Sequence, residues 1–222
     1  MERPFVLHAD NHCVVVDKPA GLPAVPGRPQ ALHDCAWSRV QALYADARVV
    51  HRLDMATSGL LLFARGEAAQ RALSRAFEER RVHKRYVAVV EGEMSAREGE
   101  IDLPIGAHWP DRPRRHVDRQ QGQAALTRYR VLSVEGGHTS VELEPVTGRT
   151  HQLRVHLAAI GRPILGDALY APPLTRAAAP RLMLHARLLA FPHPGTGETC
   201  ELRSEPAFGL PVIDAPCQKQ PC

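Results

Sequence analysis

His51-Arg52-Leu53-Asp54-Met55-Ala56-Thr57-Ser58-Gly59-Leu60-Leu61-Leu62-Phe63-Ala64 sets an aspartate beside an arginine, follows it with a Thr-Ser-Gly turn and closes on an unbroken apolar run. Residues 60–64 have the length and boundaries of a buried strand. Gly59 opens the run, where a bend or a close backbone approach costs least. Asp54 therefore lies on a loop that feeds a rigid core strand, a usual position for a working residue. An aspartate there also reads as a turn former or a helix cap, and the stretch by itself leaves both readings open.

Upstream, Cys13-Val14-Val15-Val16 reads as a short buried strand, broken by the turn Asp17-Lys18-Pro19-Ala20-Gly21. A Pro-rich loop follows. Residues 34–45 then form a helix, with Ala36, Val40 and Leu43 at helical spacing. Downstream, residues 67–79 make an amphipathic helix with Ala69, Leu73, Ala76 and Phe77 on one face. A basic stretch, residues 80–85, leads into a strand ended by Gly92. Residues 93–123 are polar, with few apolar anchors. Within them His108-Trp109-Pro110-Asp111-Arg112-Pro113-Arg114-Arg115-His116 is expected as an extended basic surface loop, because its prolines oppose regular structure. Residues 124–133 and 139–145 alternate as two strands joined by the hairpin Glu135-Gly136-Gly137-His138. Thr150 is positioned to N-cap a helix from His151 to about Ile160, stopped by Gly161, with Leu153, Leu157 and Ile160 on one face. Residues 172–180 read as a surface segment and 182–191 as a last strand.

At 222 residues, with no repeat and no linker rich enough to divide it, the chain is expected to form one large domain. Its 44% hydrophobic and 23% charged content excludes a disordered or fibrous chain. The formal charge of +4 is compatible with a polyanionic partner, although clustering matters more than the total. Five cysteines, an odd count with no CxxC spacing, argue against a disulfide framework and a cysteine zinc site. Twelve histidines include no HExxH pair and are read as surface and core residues, so no metal is expected. The start lacks an apolar signal region and no run approaches a membrane span, which points to the cytoplasm.

His51-Arg52-Leu53-Asp54 with Thr57-Ser58-Gly59 resembles the active-site motif of the RluA-type pseudouridine synthases. Gly148-Arg149-Thr150-His151-Gln152-Leu153-Arg154-Val155-His156 is similar to the family's second signature. Leu184-His185-Ala186-Arg187, with His193-Pro194 and Thr196-Gly197-Glu198, is similar to its third. Three motifs in the family's order span about residues 10–205, far more specific than four letters alone. The resemblance implies an α+β fold, with a mixed, largely antiparallel sheet, flanking helices and a central active-site cleft. It also implies a catalytic domain over 10–210; residues 1–9 read as a loose leader, and 211–222, Pro, Gln and Cys with no periodicity, as a disordered tail. The match starts too early to leave room for the S4-type RNA-binding module that many relatives carry. Ala24, where relatives have Ser, and the proline-rich stretch 171–180 depart from the pattern and leave the choice of substrate open.

The implied chemistry moves a uracil from its N1–C1′ bond to a C5–C1′ bond within RNA. The product is an isomer, so no cofactor is required. By resemblance Asp54 is the catalytic carboxylate, whether it adds to the sugar or removes a 2′ proton. Arg154 is its ionic partner, and Tyr86 stacks on the base or takes the C5 proton. Arg52, Leu153, Arg149 and His151 are implied on the substrate side, Arg52 holding the nucleotide out of its helix. Flipping costs least in a loop, so a stem-loop uridine is expected, in 23S rRNA or a tRNA anticodon arm. Lys84, Arg85, Arg112, Arg114 and Arg115 are candidate phosphate contacts, and a monomer is expected. A non-catalytic RNA-binding module would not need a carboxylate facing a polyanion. A metal-dependent nuclease would need several convergent acids, and the motifs contain one.

Overall fold

A computed structural model of the chain describes residues 5–107, 111 and 113–209. Along it run β1 (Val6–Ala9), β2 (Cys13–Lys18), α1 (Ala36–Leu43), β3 (Ala47–Val49), β4 (Ser58–Arg65), α2 (Gly66–Glu78), β5 (His83–Glu91) and β6 (Glu98–Asp102). There follow β7 (Ile105–Ala107), β8 (Arg115–Val117), β9 (Leu126–Glu135), β10 (His138–Pro145), α3 (Gln152–Ala159), α4 (Pro173–Ala177), β11 (Leu184–Pro192) and β12 (Thr199–Arg203). The main sheet has the order β1-β2-β4-β11-β5-β10-β9-β6, with β3 beside β4 and β12 beside β11, while β7 and β8 form a separate ribbon. β4 and β11 run parallel; the other described pairs are antiparallel. This is the expected α+β arrangement.

The apolar run is unbroken because β4 is covered on both faces. Leu60, Leu62 and Ala64 pack with Ala69, Leu73 and Ala76 of α2. Leu61 and Phe63 point the other way, onto Ala36 and Val40 of α1. Four large side chains buried here stabilise the fold by on the order of 10 kcal/mol before chain entropy is set against them. A third core lies under α3, where Leu153 and Leu157 meet Ala88, Val90, Val141, Leu143 and Leu184. The Gly136-Gly137 hairpin forms as expected, both glycines at positive φ, as a tight β-turn that matches strand twist requires.

Several expectations need correction. The leader over residues 1–9 is not loose throughout: Val6–Ala9 pairs with β2, Val6 opposite Val16. Asp10 makes the turn, its Oδ1 accepting the N–H groups of His12 (2.7 Å) and Cys13 (2.9 Å). The polar stretch 93–123 holds three strands. β6 is an edge strand with one wet face, so Ile101 is its only fully buried residue, and Glu98 and Glu100 sit opposite Arg130 and Arg128. The basic loop is partly the β7–β8 ribbon, with Ile105 opposite Val117; Trp109 and Arg112 lie outside the described residues, as does the expected tail. Within residues 172–180 the short helix α4 forms. Thr150 does not cap α3. The N-cap is His151, at φ +57, with no side-chain cap bond. Gln152 does the fastening instead: its Oε1 accepts from Thr147 Oγ1 (2.7 Å) and Arg149 N (3.0 Å), and its Nε2 donates to Leu126 O (2.9 Å).

Candidate active site

A cleft of ≈ 1670 Å³ crosses the sheet, bounded by the 51–57 loop, the start of β5, β8 and the turn into α3. Small-ligand sites run to roughly 300–1,000 Å³, so this one fits a segment of polymer. Asp54 sits in its wall on a loop held from three sides. Lys18, fully buried, donates its ammonium protons to the carbonyls of Pro19 (2.9 Å), Leu22 (2.8 Å) and Met55 (3.2 Å). Burial, partly opposed by the Asp54 charge, pushes its pKa down to about 8. His51 accepts Leu62 N–H on Nε2 (2.9 Å) and lies against the Phe77 ring. At the far end, Ser58 bonds His185 Nδ1 (2.9 Å), whose Nε2 meets Ser204 O (3.0 Å). Two of the sequence motifs therefore join as one piece of sheet, with His185 opposite Ser58 and Ala186 opposite Gly59.

Arg154 projects from α3 toward this loop and is almost wholly buried. A guanidinium there requires carboxylates. It donates Nε–H to Asp167 Oδ2 (2.8 Å) and Nη2–H to Oδ1 (2.6 Å), a bidentate fork. That leaves Nη1–H for Asp54 Oδ2, at 3.3 Å. Burial disfavours the charge on Arg154, but the two carboxylates outweigh it and raise its pKa. Asp167 has no exposed surface and also accepts the N–H groups of Leu169 (2.8 Å) and Tyr170 (3.2 Å). On its other side Asp54 faces His151 Nε2 at 3.7 Å. The Tyr170 ring lies under the Arg154 guanidinium, 5.1 Å from Cζ to centroid. Sequence reasoning misses Asp167, Tyr170 and Lys18. The one signal pointing to Asp167 is that a buried arginine needs a carboxylate.

The other expected site residues divide. Tyr86, on β5, and Leu153, of α3, both line the cleft and both pack into the third core. Burial, then the Asp54 charge, push the Tyr86 phenol well above its usual range. Arg52, Arg149, Lys84, Arg114 and Arg115 also line the cleft. Arg149 donates Nε–H to Ala124 O (3.1 Å), and Arg114 pairs with Asp111 (2.8 Å). Lys84 lies over the Phe77 ring at 5.9 Å, its pKa lowered by burial. Arg115 Nε is buried with no hydrogen-bond partner. Arg85 does not line the cleft and pairs with Glu142 (3.4 Å).

Away from the cleft, His8, Asp10 and Cys13 bring ligand-type atoms within 4.8 Å of one another. The chemistry favours protons over a metal there. His193 Nδ1 accepts from Gly195 and Thr196 N–H (both 3.2 Å), so its Nε2 carries the proton to Asp10 Oδ2 at 2.9 Å. Burial and the Asp10 charge push the Cys13 thiol up to about 12. The cluster fastens the β1–β2 turn to the β11–β12 turn. No helix among the described residues is long and apolar enough to cross a membrane.

A carboxylate in the wall of a polymer-sized cleft, backed by a fixed guanidinium and faced by an aromatic ring, can attack or deprotonate a sugar beside a stacked base. Comparison with known proteins agrees. Residues 12–159 match the family model described as RNA pseudouridylate synthase. The dual-specificity RNA pseudouridine synthase RluA of Pasteurella multocida is 48% identical over 204 residues, covering 91% of this chain and 93% of that protein. Its counterpart in Escherichia coli K12 is 47% identical over the same shares. Among solved structures, human RNA pseudouridylate synthase domain containing 1 superposes with a TM-score of 0.77 at 30% identity, over 94% of this chain and 87% of that one.

Proposed function

The chain belongs to the RNA pseudouridylate synthase family, and from that membership we propose that its cleft converts a stem-loop uridine to pseudouridine with Asp54 as the catalytic carboxylate. The observation that carries this reading is the contact of Asp54 with Arg154 Nη1, while Nε and Nη2 of the same guanidinium are locked on Asp167. A guanidinium so fixed keeps a carboxylate charged as a pocket closes over it. The uridine flips into the cleft and stacks between Tyr86 and Leu153, while Arg52 at the exposed rim fills the gap it leaves. The N1–C1′ bond breaks with Asp54 acting at the sugar, the base turns, C5 bonds C1′, the C5 proton leaves and N1 gains one. Atoms and electrons balance without a cofactor. The raised pKa of Tyr86 argues for a neutral ring that stacks, rather than a phenolate base, until the RNA is bound.

Phosphates flanking the target rest on Lys84, Arg114, Arg115 and Arg149; Arg112 belongs to the same sequence cluster, and Arg85 stays outside this surface. The relatives from P. multocida and E. coli are dual-specificity RNA enzymes by name, which supports a target in 23S rRNA, in a tRNA anticodon arm, or in both. We propose that the chain acts as a monomer, in the cytoplasm where its RNA is made. The test is to map pseudouridines in rRNA and tRNA of cells lacking the protein, then restore wild type or Asp54→Asn. One or a few sites should vanish and return only with wild type. In vitro, turnover by Asp54→Asn should drop at least about 10³-fold, as for a group acting in the transition state. Rescue by Asp54→Asn would overturn the assignment.

A further inference from the structure

We propose that Tyr170 is a positioning residue that ties the Arg114–Arg115 ribbon to the Asp54 carboxylate by deciding which nitrogen of His151 carries the proton. The inference rests on the reading of Asp54 as the catalytic group. Tyr170 follows Asp167 by three residues, and its hydroxyl stands between two elements. It accepts the backbone N–H of Arg115, on β8, at 2.9 Å, and lies 2.7 Å from His151 Nδ1. The two rings meet edge to face, 5.6 Å between centroids.

A hydroxyl has one proton and two acceptor lone pairs, and a neutral imidazole has one donor and one acceptor nitrogen. Arg115 N–H occupies one lone pair of Tyr170. If the hydroxyl proton goes to His151 Nδ1, then Nε2 carries the ring proton and points it toward Asp54 Oδ2, 3.7 Å away. The opposite tautomer turns the Nε2 lone pair toward a carboxylate and leaves the Tyr170 proton without its acceptor. Electrostatics and hydrogen-bond satisfaction both select the first arrangement. The groups facing His151 are Asp54, Arg154, Asp167, Arg115 and Tyr170. Burial first, and Arg154 and Arg115 among the charges, lower its pKa against the pull of Asp54 and Asp167, which keeps the ring neutral.

His151 sits at φ +57, a conformation that non-glycine residues adopt at a cost and that persists where surrounding contacts enforce it. Tyr170 supplies such a contact. The same ring lies under Arg154, so Tyr170 touches both donors that face Asp54. At 3.7 Å the His151 donor is not yet bonded; catalytic hydrogen bonds in empty sites are often long and tighten when substrate binds. Arg115 lines the cleft, and its side-chain Nε is buried without a partner. RNA that seats on this ribbon bears on Arg115, and through its backbone N–H on Tyr170, His151 and Asp54.

Tyr170→Phe keeps the ring and removes the hydroxyl. With rRNA and tRNA from cells lacking the protein, labelled with 5-tritiated uridine, tritium release should fall in kcat by about tenfold, the worth of one transition-state hydrogen bond. The apparent KM should stay within about twofold, since uniform binding is untouched. In a His151→Gln background, Tyr170→Phe should add nothing further. A wild-type kcat, a loss confined to KM, or additive effects of the two substitutions would each overturn the inference. Asp54→Asn, assayed alongside, separates the two readings: if it is active the premise itself fails, and if it is inactive while Tyr170→Phe matches wild type only the role of Tyr170 fails.

Discussion

One guanidinium serves two carboxylates in this cleft, and the division of its donors explains the local chemistry. The Nε–Nη2 fork of Arg154 is spent on Asp167, at 2.8 and 2.6 Å, which turns its Nη1 toward Asp54 at 3.3 Å. A lysine would supply the charge but not the fork, and would be free to leave Asp54 for Asp167. His51 holds the same loop by a different device, an uncharged acceptor. Burial, and after it the Lys84 charge, push its pKa down to about 3 from the ordinary 6.5. The unfolded chain therefore binds more protons than the folded one between these values, and stability falls as pH drops below 6.5 until the loss levels off near 3. Between pH 6.5 and 5 this group should remove on the order of 1–2 kcal/mol. His51→Gln keeps an acceptor for Leu62 N–H and does not titrate. Urea unfolding across this range should give a flatter pH dependence for the variant than for wild type; equal slopes would mean that the ring is not held neutral.

At the scale of elements, the site depends on how β4 begins. Gly59 sits at φ +109, and a Cβ there would lie 2.3 Å from the Ala186 carbonyl oxygen of β11. The two strands can run this close in parallel only because the side chain is absent. Gly136, in the β9–β10 hairpin, also has positive φ (+58), but a Cβ there meets nothing within 4 Å. Gly136→Ala should therefore cost about 1–2 kcal/mol, the conformational penalty alone. Gly59→Ala should cost clearly more and lower isomerase activity as well, because the displaced strand end carries the Asp54 loop. Thermal unfolding and tritium release on both variants make the comparison; equal costs would show that backbone conformation, not the β4–β11 approach, is what Gly59 supplies. The elements hardest to see beforehand, β1, β6, β8 and β12, share a reason. They are edge or ribbon strands with one wet face, and their polar pattern resembles that of loop.

For the whole molecule, the question is where a polyanion rests. Arg52, Arg80, Arg114, Arg115, Arg128 and Arg149 line the cleft against the acids Asp54, Glu78 and Glu144, so a modest overall charge is concentrated on one face. Replacing Arg114 and Arg149 with Ala should make the plot of log affinity against log salt shallower by about 0.7 for each phosphate that is no longer neutralised. Arg85→Ala, whose side chain is paired with Glu142 outside the cleft, should leave the slope unchanged; fluorescence anisotropy over a potassium chloride series measures both. A slope unaffected by Arg114 and Arg149 would move the RNA to another surface. Periodicity along the chain is enough to reveal β2, β4, α2, the β9–β10 hairpin and the order of the motifs, because each depends on neighbours a few residues away. Arg154, beside a core leucine on a short helix, reads from the sequence alone as equally able to meet a carboxylate, a phosphate or water. Which partner is decided only by the fold: Asp54 lies 100 residues away and Asp167 13. Tyr170 reaches His151 across 19 residues and Arg115 across 55. A buried charge takes whichever carboxylate the packed elements bring within about 3 Å, and sequence spacing does not encode that distance.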